Sequence, residues 1–465
     1  LYPEIRVVIE EQRNDNGYIL GDDEGLGYLI RGLRDRNYPD TRWQQIFSHY
    51  KENQPDRLLK ILSAAFYIPE DAKLTKSAAQ MLYTDMIRGS ASRFELYASC
   101  AYRYFLQYGL GLGEREERAV AFYDIGNIIH ETLELYTRDM IRNHQNWQEI
   151  EEEERQKKAE ECFEAVVDEY KSGLLQDSFR NRHLMNSMKK VLHRTIRSIS
   201  EQMDIGEFQT IGSELRFEQV HGPLVLRGSV DRIDSLSVGD KEYISIVDYK
   251  TGEKEISLSD FYYGLQMQLV IYLQAAVDDA KGRRSSLKKQ IIPAGIFYFH
   301  PKDPMLDGYV TEDNREGEIL KQFRMKGLIN ETDDVMYAMD RTFRPEQGAG
   351  LAAMVKSSII PVSTKKDGNI SKTSEKYLAT EEDFDLLMKD TKNKLMEISK
   401  GIIEGEIGIH PYQKEDDSTS CDYCPYHAVC RFDPRLGNTY RKLQEMTDDQ
   451  VYDALRKKYG EQGEE

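Results

Sequence analysis

Along the first 88 positions apolar residues come in short bursts, such as "IRVVIE" at Ile5–Glu10, beside one helical stretch, "DRLLKILSAAFY". From Ser92 a Tyr- and Phe-rich run, "SRFELYASCAYRYFLQYGL", predicts a helix. "DIGNIIHETLELYTRDMI" predicts another, with Ile125, Ile128, Ile129, Leu133 and Tyr136 at helical spacing. "NWQEIEEEERQKKAEECFEAVVDEY" reads as a helix whose acidic run is a solvated face. After about residue 208 the period changes. "GPLVLRGSVDRIDSL" and "EYISIVDYKTG" read as adjacent strands with "SVGDK" as the turn between them. "DFYYGLQMQLVIYLQAAVDDA" predicts an amphipathic helix, "GRRSSLKKQ" a basic loop, and "IIPAGIFYFHP" a short, apolar, buried strand. Positions 309–400 read as helix-rich, interrupted by the polar loop "STKKDGNISKTSEK". A cysteine-rich segment follows His410, then a charged helix. The order of helices, strand–strand–helix–strand and helices again predicts an α/β fold: a mixed sheet core with helical insertions.

The chain of 465 residues can hold two or three domains, and because it opens at Leu1 it is expected to be a piece of a longer protein. With 31% charged and 40% hydrophobic residues the composition is that of an ordinary globular chain. The formal net charge of -18 means that nucleic-acid binding would depend on local basic surface. No run approaches the roughly 20 apolar residues of a membrane span, and no signal segment opens the chain. A cytoplasmic protein without membrane association is therefore expected. No G-x-x-x-x-G-K-[ST] occurs, so the chain has no phosphate-cradling loop of its own.

In "IVDYKTG" the strand period puts Asp248 and Lys250 on one face and Tyr249 on the other. Such a pair is either a plain ion pair or half of a metal site with a cation for phosphate chemistry. Asp231, in "GSVDRID" on the preceding strand, lies within reach, since neighbouring strands are about 5 Å apart. Two carboxylates from adjacent strands can share a divalent cation such as Mg²⁺, which prefers oxygen ligands. Lys250 could then orient or deprotonate water, or offset charge developing on a phosphate. Gln268 and Tyr272 share a helix face at i, i+4, and an imidazole at His130 could complete the metal shell. Each element alone is commonplace; the ordered set is far more specific.

Five cysteines are present. Cys421, Cys424 and Cys430 form C-x2-C-x5-C, a spacing that points to a metal centre one ligand short. Cys100 and Cys162 are candidates for the fourth position, and His427 would make a Cys3His zinc site. Thiolate chemistry leaves zinc and iron–sulfur both open.

The ordered set resembles the RecB-family branch of the PD-(D/E)XK nuclease superfamily, with Asp248–Tyr249–Lys250 carrying Asp where the superfamily name allows Glu. The upstream cysteine, the nuclease-like core and the terminal trio together are similar to the iron–sulfur nuclease domain of the AddB family, subunits of bacterial AddAB (RexAB-like) helicase–nucleases. The likeness runs from about residue 85 to 435, and departs from the family in Cys100–Ala101–Tyr102, where Cys-Pro-Phe is frequent.

The resemblance implies a restriction-endonuclease-like mixed sheet flanked by helices. His130, Asp231 and Asp248 would bind Mg²⁺ or Mn²⁺. Asp231, Asp248 and Lys250 would be catalytic, with Gln268 and Tyr272 in support. Cys100, Cys421, Cys424 and Cys430 would hold one 4Fe-4S cluster, a structural clasp joining the two ends of the domain. Residues 1–88 would be the tail of a helicase-like region, 89–435 the nuclease domain and 436–465 a charged C-terminal helix. The implied activity is a metal-dependent DNA exonuclease that processes double-strand breaks for recombination. It would degrade the 5′-terminated strand under regulation by Chi, beside an AddA-like partner that supplies ATP-driven unwinding. The setting would be the cytoplasm, at the nucleoid. A stand-alone iron–sulfur single-strand nuclease and a catalytically silent DNA-binding scaffold are the alternatives. Single-stranded DNA would want aromatic and basic residues along a channel. Tyr102, Arg103, Tyr104, Phe105, Arg283, Arg284, Lys288, Lys289 and the stretch Asn181–Arg197 are candidates, against a reading as core aromatics and solvated surface.

Overall fold

The computed structural model describes residues 22–34, 42–66, 73–113, 122–170, 178–283, 289–304, 312–344, 355–365 and 369–460. Ile5–Glu10, Arg284 and Lys288 lie outside these residues, as does part of the polar loop near 366. In chain order the elements begin with helices α1 (Asp22–Arg34), α2 (Arg42–Asn53), α3 (Pro55–Ala65) and α4 (Lys76–Tyr83). Strand β1 (Ile87–Gly89) leads to α5 (Ala91–Ser99), α6 (Ala101–Tyr104), α7 (Phe122–Arg142), α8 (Glu152–Glu169) and α9 (Phe179–Ile205). Strands β2 (Gln209–His221), β3 (Leu224–Val238) and β4 (Lys241–Tyr249) follow, then α10 (Leu258–Tyr262), α11 (Gln268–Arg283) and β5 (Gln290–Phe299). Next come α12 (Glu312–Gln322), β6 (Lys326–Asn330), α13 (Asp333–Met339), β7 (Leu378–Ala379) and α14 (Glu381–Ile403). The chain closes with α15 (His427–Cys430) and α16 (Asp448–Gly460).

Two compact units emerge. The smaller takes Leu1–Asp71 and His427–Tyr440, the larger Ala72–Tyr426 and Arg441–Glu465. In the smaller, Leu29, Tyr50 and Leu58 are buried together and α1, α2 and α3 pack around them.

The larger unit is built on a seven-stranded mixed sheet ordered β1-β3-β4-β5-β6-β7, with β2 alongside β3. β3 pairs antiparallel with β2 and β4, and parallel with β1. β4 and β5 are parallel, β5 and β6 antiparallel, β6 and β7 parallel. Alternate side chains of a strand leave the sheet on opposite faces. Tyr243, Val247 and Tyr249 accordingly join the core made with α7, α8, α9 and α13. Ile244 and Ile246 join the core made with α4, α5, α11, α14 and α16. The result is helices on both faces of a sheet, an α/β architecture with helical insertions as expected. None of the described helices is long and apolar enough to cross a membrane.

Four local readings are corrected. The run from Ser92 is not one helix: Cys100 adopts an extended backbone (φ -163°, ψ 113°) that separates α5 from α6, and Phe105–Gly109 winds into a π-helix. The run from Asp260 is likewise two helices, separated where Gly264 takes φ +77°, a conformation that costs other residues more. The segment before β3 is a thirteen-residue strand, β2, which joins one more strand to the sheet than the expected hairpin. The helix-rich stretch after 309 hides the buried strand β6.

Candidate metal and phosphodiester site

The β3–β4 hairpin puts Asp231 and Asp248 side by side. Arg232 pairs with Val247, so the next positions outward, Asp231 and Asp248, are neighbours across the ladder. Asp231 Oδ2 accepts the Tyr249 amide at 2.8 Å, which fixes that carboxylate to the adjacent strand. Asp248 is almost wholly buried, and Lys250, on the same face, contacts its Oδ2. The face alternation of "DYK" is therefore as expected, with Tyr249 turned into the opposite core.

From α7, His130 Nε2 reaches Asp231 Oδ1 at 2.9 Å and Glu214 Oε1 at 3.2 Å. His130, Glu214 and Asp231 offer ligand atoms all within 4.8 Å of one another. Glu214 has a left-handed backbone, φ +50°, rare for a non-glycine residue inside a strand. Such conformations persist where the surroundings over-determine them, often at functional sites. From α11, Gln268 Nε2 donates to Tyr272 Oη at 3.0 Å and approaches Asp248 Oδ1 at 3.4 Å. His300, at the end of β5, meets the carbonyls of Lys250 and Lys254 with its two ring nitrogens, at 3.0 and 2.9 Å, and so holds the loop that leaves β4.

Gly228, three positions before Asp231, is dictated by packing. A Cβ there would lie 2.7 Å from Phe217 Cζ and 3.2 Å from Tyr272 Cε1. A side chain there would press on the Phe217–Tyr272 pair, whose centroids lie 5.8 Å apart over the strand.

These side chains line one cleft of about 490 Å³. Its electrostatics are those of crowded carboxylates. Burial and the charge of Asp231 push Asp248 up to about 6 against the pull of Lys250. Burial pulls His130 down, but the hydrogen bond and charge of Asp231, with Glu214 and Asp248, outweigh it and raise the imidazole to about 9. Burial likewise raises Glu214. Glu214 Oε1 and Asp248 Oδ2 are both buried, the first 3.2 Å from His130 Nε2 and the second met by the Lys250 ammonium. Oxygen atoms in that condition suit a hard divalent cation, so the residues present fit one.

Three contributors were not anticipated from sequence. Glu214 stands on β2, the unexpected strand. Tyr123, 60% exposed, stands at the rim of the cleft. Glu95 Oε1 accepts the amides of Met267 and Gln268 at the start of α11, at 2.6 and 2.8 Å. For Glu214 the period-two pattern of Ile211, Leu215 and Phe217 was the available signal.

The cysteines divide. Cys100 is buried between α5 and α6, and burial pushes its thiol up, with the neighbouring charge of Cys424 acting in the same sense. Cys421 and Cys424 lie in the same unit, with the Cys424 amide donating to the Cys421 carbonyl at 3.0 Å. The sulfurs of Cys100, Cys421 and Cys424 are not all within 4.8 Å of one another. Cys430 closes α15 in the smaller unit. Cys162 is a core residue packed with Phe163 and Val166, its thiol pushed up to about 11 by burial. Among the candidate channel residues, Tyr104 is a correction: it is 1% exposed and packed against Tyr83, Tyr97 and Tyr108, so it is core and not a stacking surface. The stretch from Asn181 lies on α9, with Met188, Leu192 and Ile196 buried.

Comparison with known proteins adds an independent line. The family model of the PD-(D/E)XK nuclease superfamily matches residues 88–431. The chain is 33% identical over 462 residues to the B subunit of an ATP-dependent helicase/deoxyribonuclease from Lachnoclostridium phytofermentans, covering 98% of this chain and 40% of that protein. It is 32% identical over 466 residues to the same-named protein of a Thermoanaerobacter species, covering 95% and 39%. It is 32% identical over 459 residues to that of Clostridium perfringens, covering 94% and 38%. The chain thus spans about two fifths of the length of these relatives. With the acidic cleft at the end of a mixed sheet and a family match over most of its length, the chain belongs to the PD-(D/E)XK nuclease superfamily.

Proposed function

We propose that this chain carries the nuclease of a helicase–nuclease subunit and hydrolyses phosphodiesters of single-stranded DNA in the cleft between α7, α11 and the β3–β4 hairpin. The observation that carries the reading is the convergence of His130, Asp231, Asp248 and Lys250 in that cleft. His130, Asp231 and Asp248, with Glu214 beside them, would hold Mg²⁺ or Mn²⁺. The cation would supply Lewis-acid polarisation of the phosphate and a more acidic water. Without it, three carboxylates facing one cleft repel a phosphodiester, which is why the fit matters. Lys250, in the cleft against Asp248, would offset charge that builds on the phosphate. Gln268, bonded to Tyr272, steadies the Asp248 carboxylate. Tyr123 at the rim offers a ring on which a base can stack.

Cys100, Cys421, Cys424 and Cys430 are proposed, on their spacing and the family resemblance, to hold a 4Fe-4S cluster that clasps the domain. The relatives are named as subunits of an ATP-dependent helicase/deoxyribonuclease, and a subunit has a partner. An AddA-like motor, 5′-strand degradation, response to Chi and double-strand-break processing in the cytoplasm complete the proposal.

The test is cleavage of a single-stranded oligonucleotide in Mg²⁺. Asp248→Ala should lower the rate by at least about three orders of magnitude while oligonucleotide binding persists. Cleavage at the wild-type rate overturns the assignment. For the cluster, anaerobically purified protein should contain about four irons per chain and no zinc; stoichiometric zinc without iron overturns it.

A further inference from the structure

The first turn of α11 leaves backbone N–H groups without partners inside the helix. A single oxygen, Glu95 Oε1, takes two amides at that end, Met267 just before the helix at 2.6 Å and Gln268, its first residue, at 2.8 Å. Glu95 belongs to another element, α5, 172 and 173 positions earlier in the chain. A carboxylate there also complements the positive end of the helix dipole. Burial raises the Glu95 carboxyl against the pull of Lys254, the two backbone donors and Lys250.

Two facts make this more than an ordinary cap. The residue whose amide it fixes, Gln268, is the one whose side chain reaches Asp248 and Tyr272. The helix that supplies it, α5, ends at Ser99 and runs straight into Cys100. Glu95 and Cys100 are separated by little more than one helical turn, about 7.5 Å along the axis. Whatever anchors Cys100 therefore also anchors the carboxylate that sets the start of α11.

We propose that Glu95 is a positioning residue for the nuclease reaction: by capping α11 from α5 it keeps Gln268 aimed at Asp248 and couples the cysteine segment to the cleft. The inference rests on the nuclease reading for its kinetic consequence, but the cap itself is independent of activity. Gln keeps a carbonyl oxygen that can accept both amides; Ala does not.

The full chain is compared as wild type, Glu95→Ala, Glu95→Gln, Gln268→Ala and Glu95→Ala/Gln268→Ala. Cleavage of a single-stranded oligonucleotide in Mg²⁺ gives kcat and KM, and amide hydrogen exchange follows Met267 and Gln268. Glu95→Ala should lower kcat about ten- to a hundredfold with KM little changed, the span expected when a charge-assisted hydrogen bond is lost. Exchange at the two amides should accelerate similarly. Glu95→Gln should restore both most of the way. In the Gln268→Ala background the further loss from Glu95→Ala should shrink to less than about threefold, because residues that act through one another are not additive. Fully multiplicative losses, or a Glu95→Gln variant as slow as Glu95→Ala, overturn the proposal. If Glu95→Ala does not fold, Glu95→Gln still decides, since unprotected amides in that folded variant overturn the cap. Wild type without metal-dependent cleavage overturns the nuclease reading alone, and the exchange data then decide the cap.

Discussion

Replacing Arg232 by Met removes one half of a buried ion pair at the back of the β3–β4 hairpin. Arg232 is 1% exposed and Asp234 3%. Arg232 Nε and Nη2 both donate to Asp234 Oδ2, at 3.0 and 2.9 Å. The other Asp234 oxygen accepts Thr210 Oγ1 at 2.8 Å. After Arg232→Met that hydroxyl is the only one of these partners left to a carboxylate held away from water. Breaking one partner of such a pair typically costs about 3–5 kcal/mol, whereas replacing both by apolar residues is often neutral. For a unit of several hundred residues the unfolding entropy is about 0.8 kcal/mol/K, so a loss of about 4 kcal/mol lowers the melting midpoint by about 5 °C. Arg232→Met/Asp234→Leu should regain most of that. Because Arg232 points to the face opposite Asp231, the folded fraction of either variant should cleave at close to the normal rate. Thermal unfolding followed by circular dichroism, in parallel with oligonucleotide cleavage below the midpoint, reads both quantities. A single variant as stable as wild type, or a double variant no better than the single, would refute this account of the hairpin.

Three further outcomes are expected. Asp248→Asn should abolish cleavage yet raise the melting temperature in EDTA at pH 7. The folded carboxyl, pushed up to about 6, binds more protons than the unfolded one, so its contribution to stability is present below about pH 4 and lost as pH rises through about 6; a lower melting temperature for Asn at pH 7 would count against carboxylate crowding. Glu214→Ala should weaken Mn²⁺ binding by about tenfold in calorimetry, and unchanged affinity would remove Glu214 from the shell. Gly228→Ala should cost about 1–3 kcal/mol by overpacking and slow cleavage by moving Tyr272, whereas a wild-type rate and midpoint would mean that Phe217 yields freely.

The hairpin was legible because its two strands alternate cleanly and are closed by turn residues; period two put Asp248 and Lys250 on one face, but only the ordered set with Asp231, His130, Gln268 and Tyr272, and the resemblance it carries, marked them as a candidate site. Gln268 and Tyr272 followed from helical spacing even though the helix begins later than expected. What escaped depends on contacts distant in sequence. β2 is half-exposed for most of its length, so the pattern of Ile211, Leu215 and Phe217 is diluted, and Glu214 is one of 81 acidic residues with only that weak pattern to mark it. The breaks at Cys100 and Gly264 fall inside runs whose apolar residues continue on both sides, so periodicity could not expose them. Glu95 looks like any helical glutamate until α11 arrives against it.

The order in which the site can come together follows from the hairpin. Asp231 and Asp248 sit on two strands closed by the two-residue turn Gly239–Asp240, a contact local enough to form on the microsecond scale typical of hairpins. His130 and Glu95 lie about a hundred positions or more upstream of Asp231, and their contacts close large loops, which is slow. A folding chain is thus expected to pair its carboxylates early and to stay unable to cut until α7 and α5 dock. Pulse-labelled exchange should find the β3–β4 amides protected before those of α7. Late docking would make the nuclease its own timer, withholding hydrolysis from a half-made enzyme.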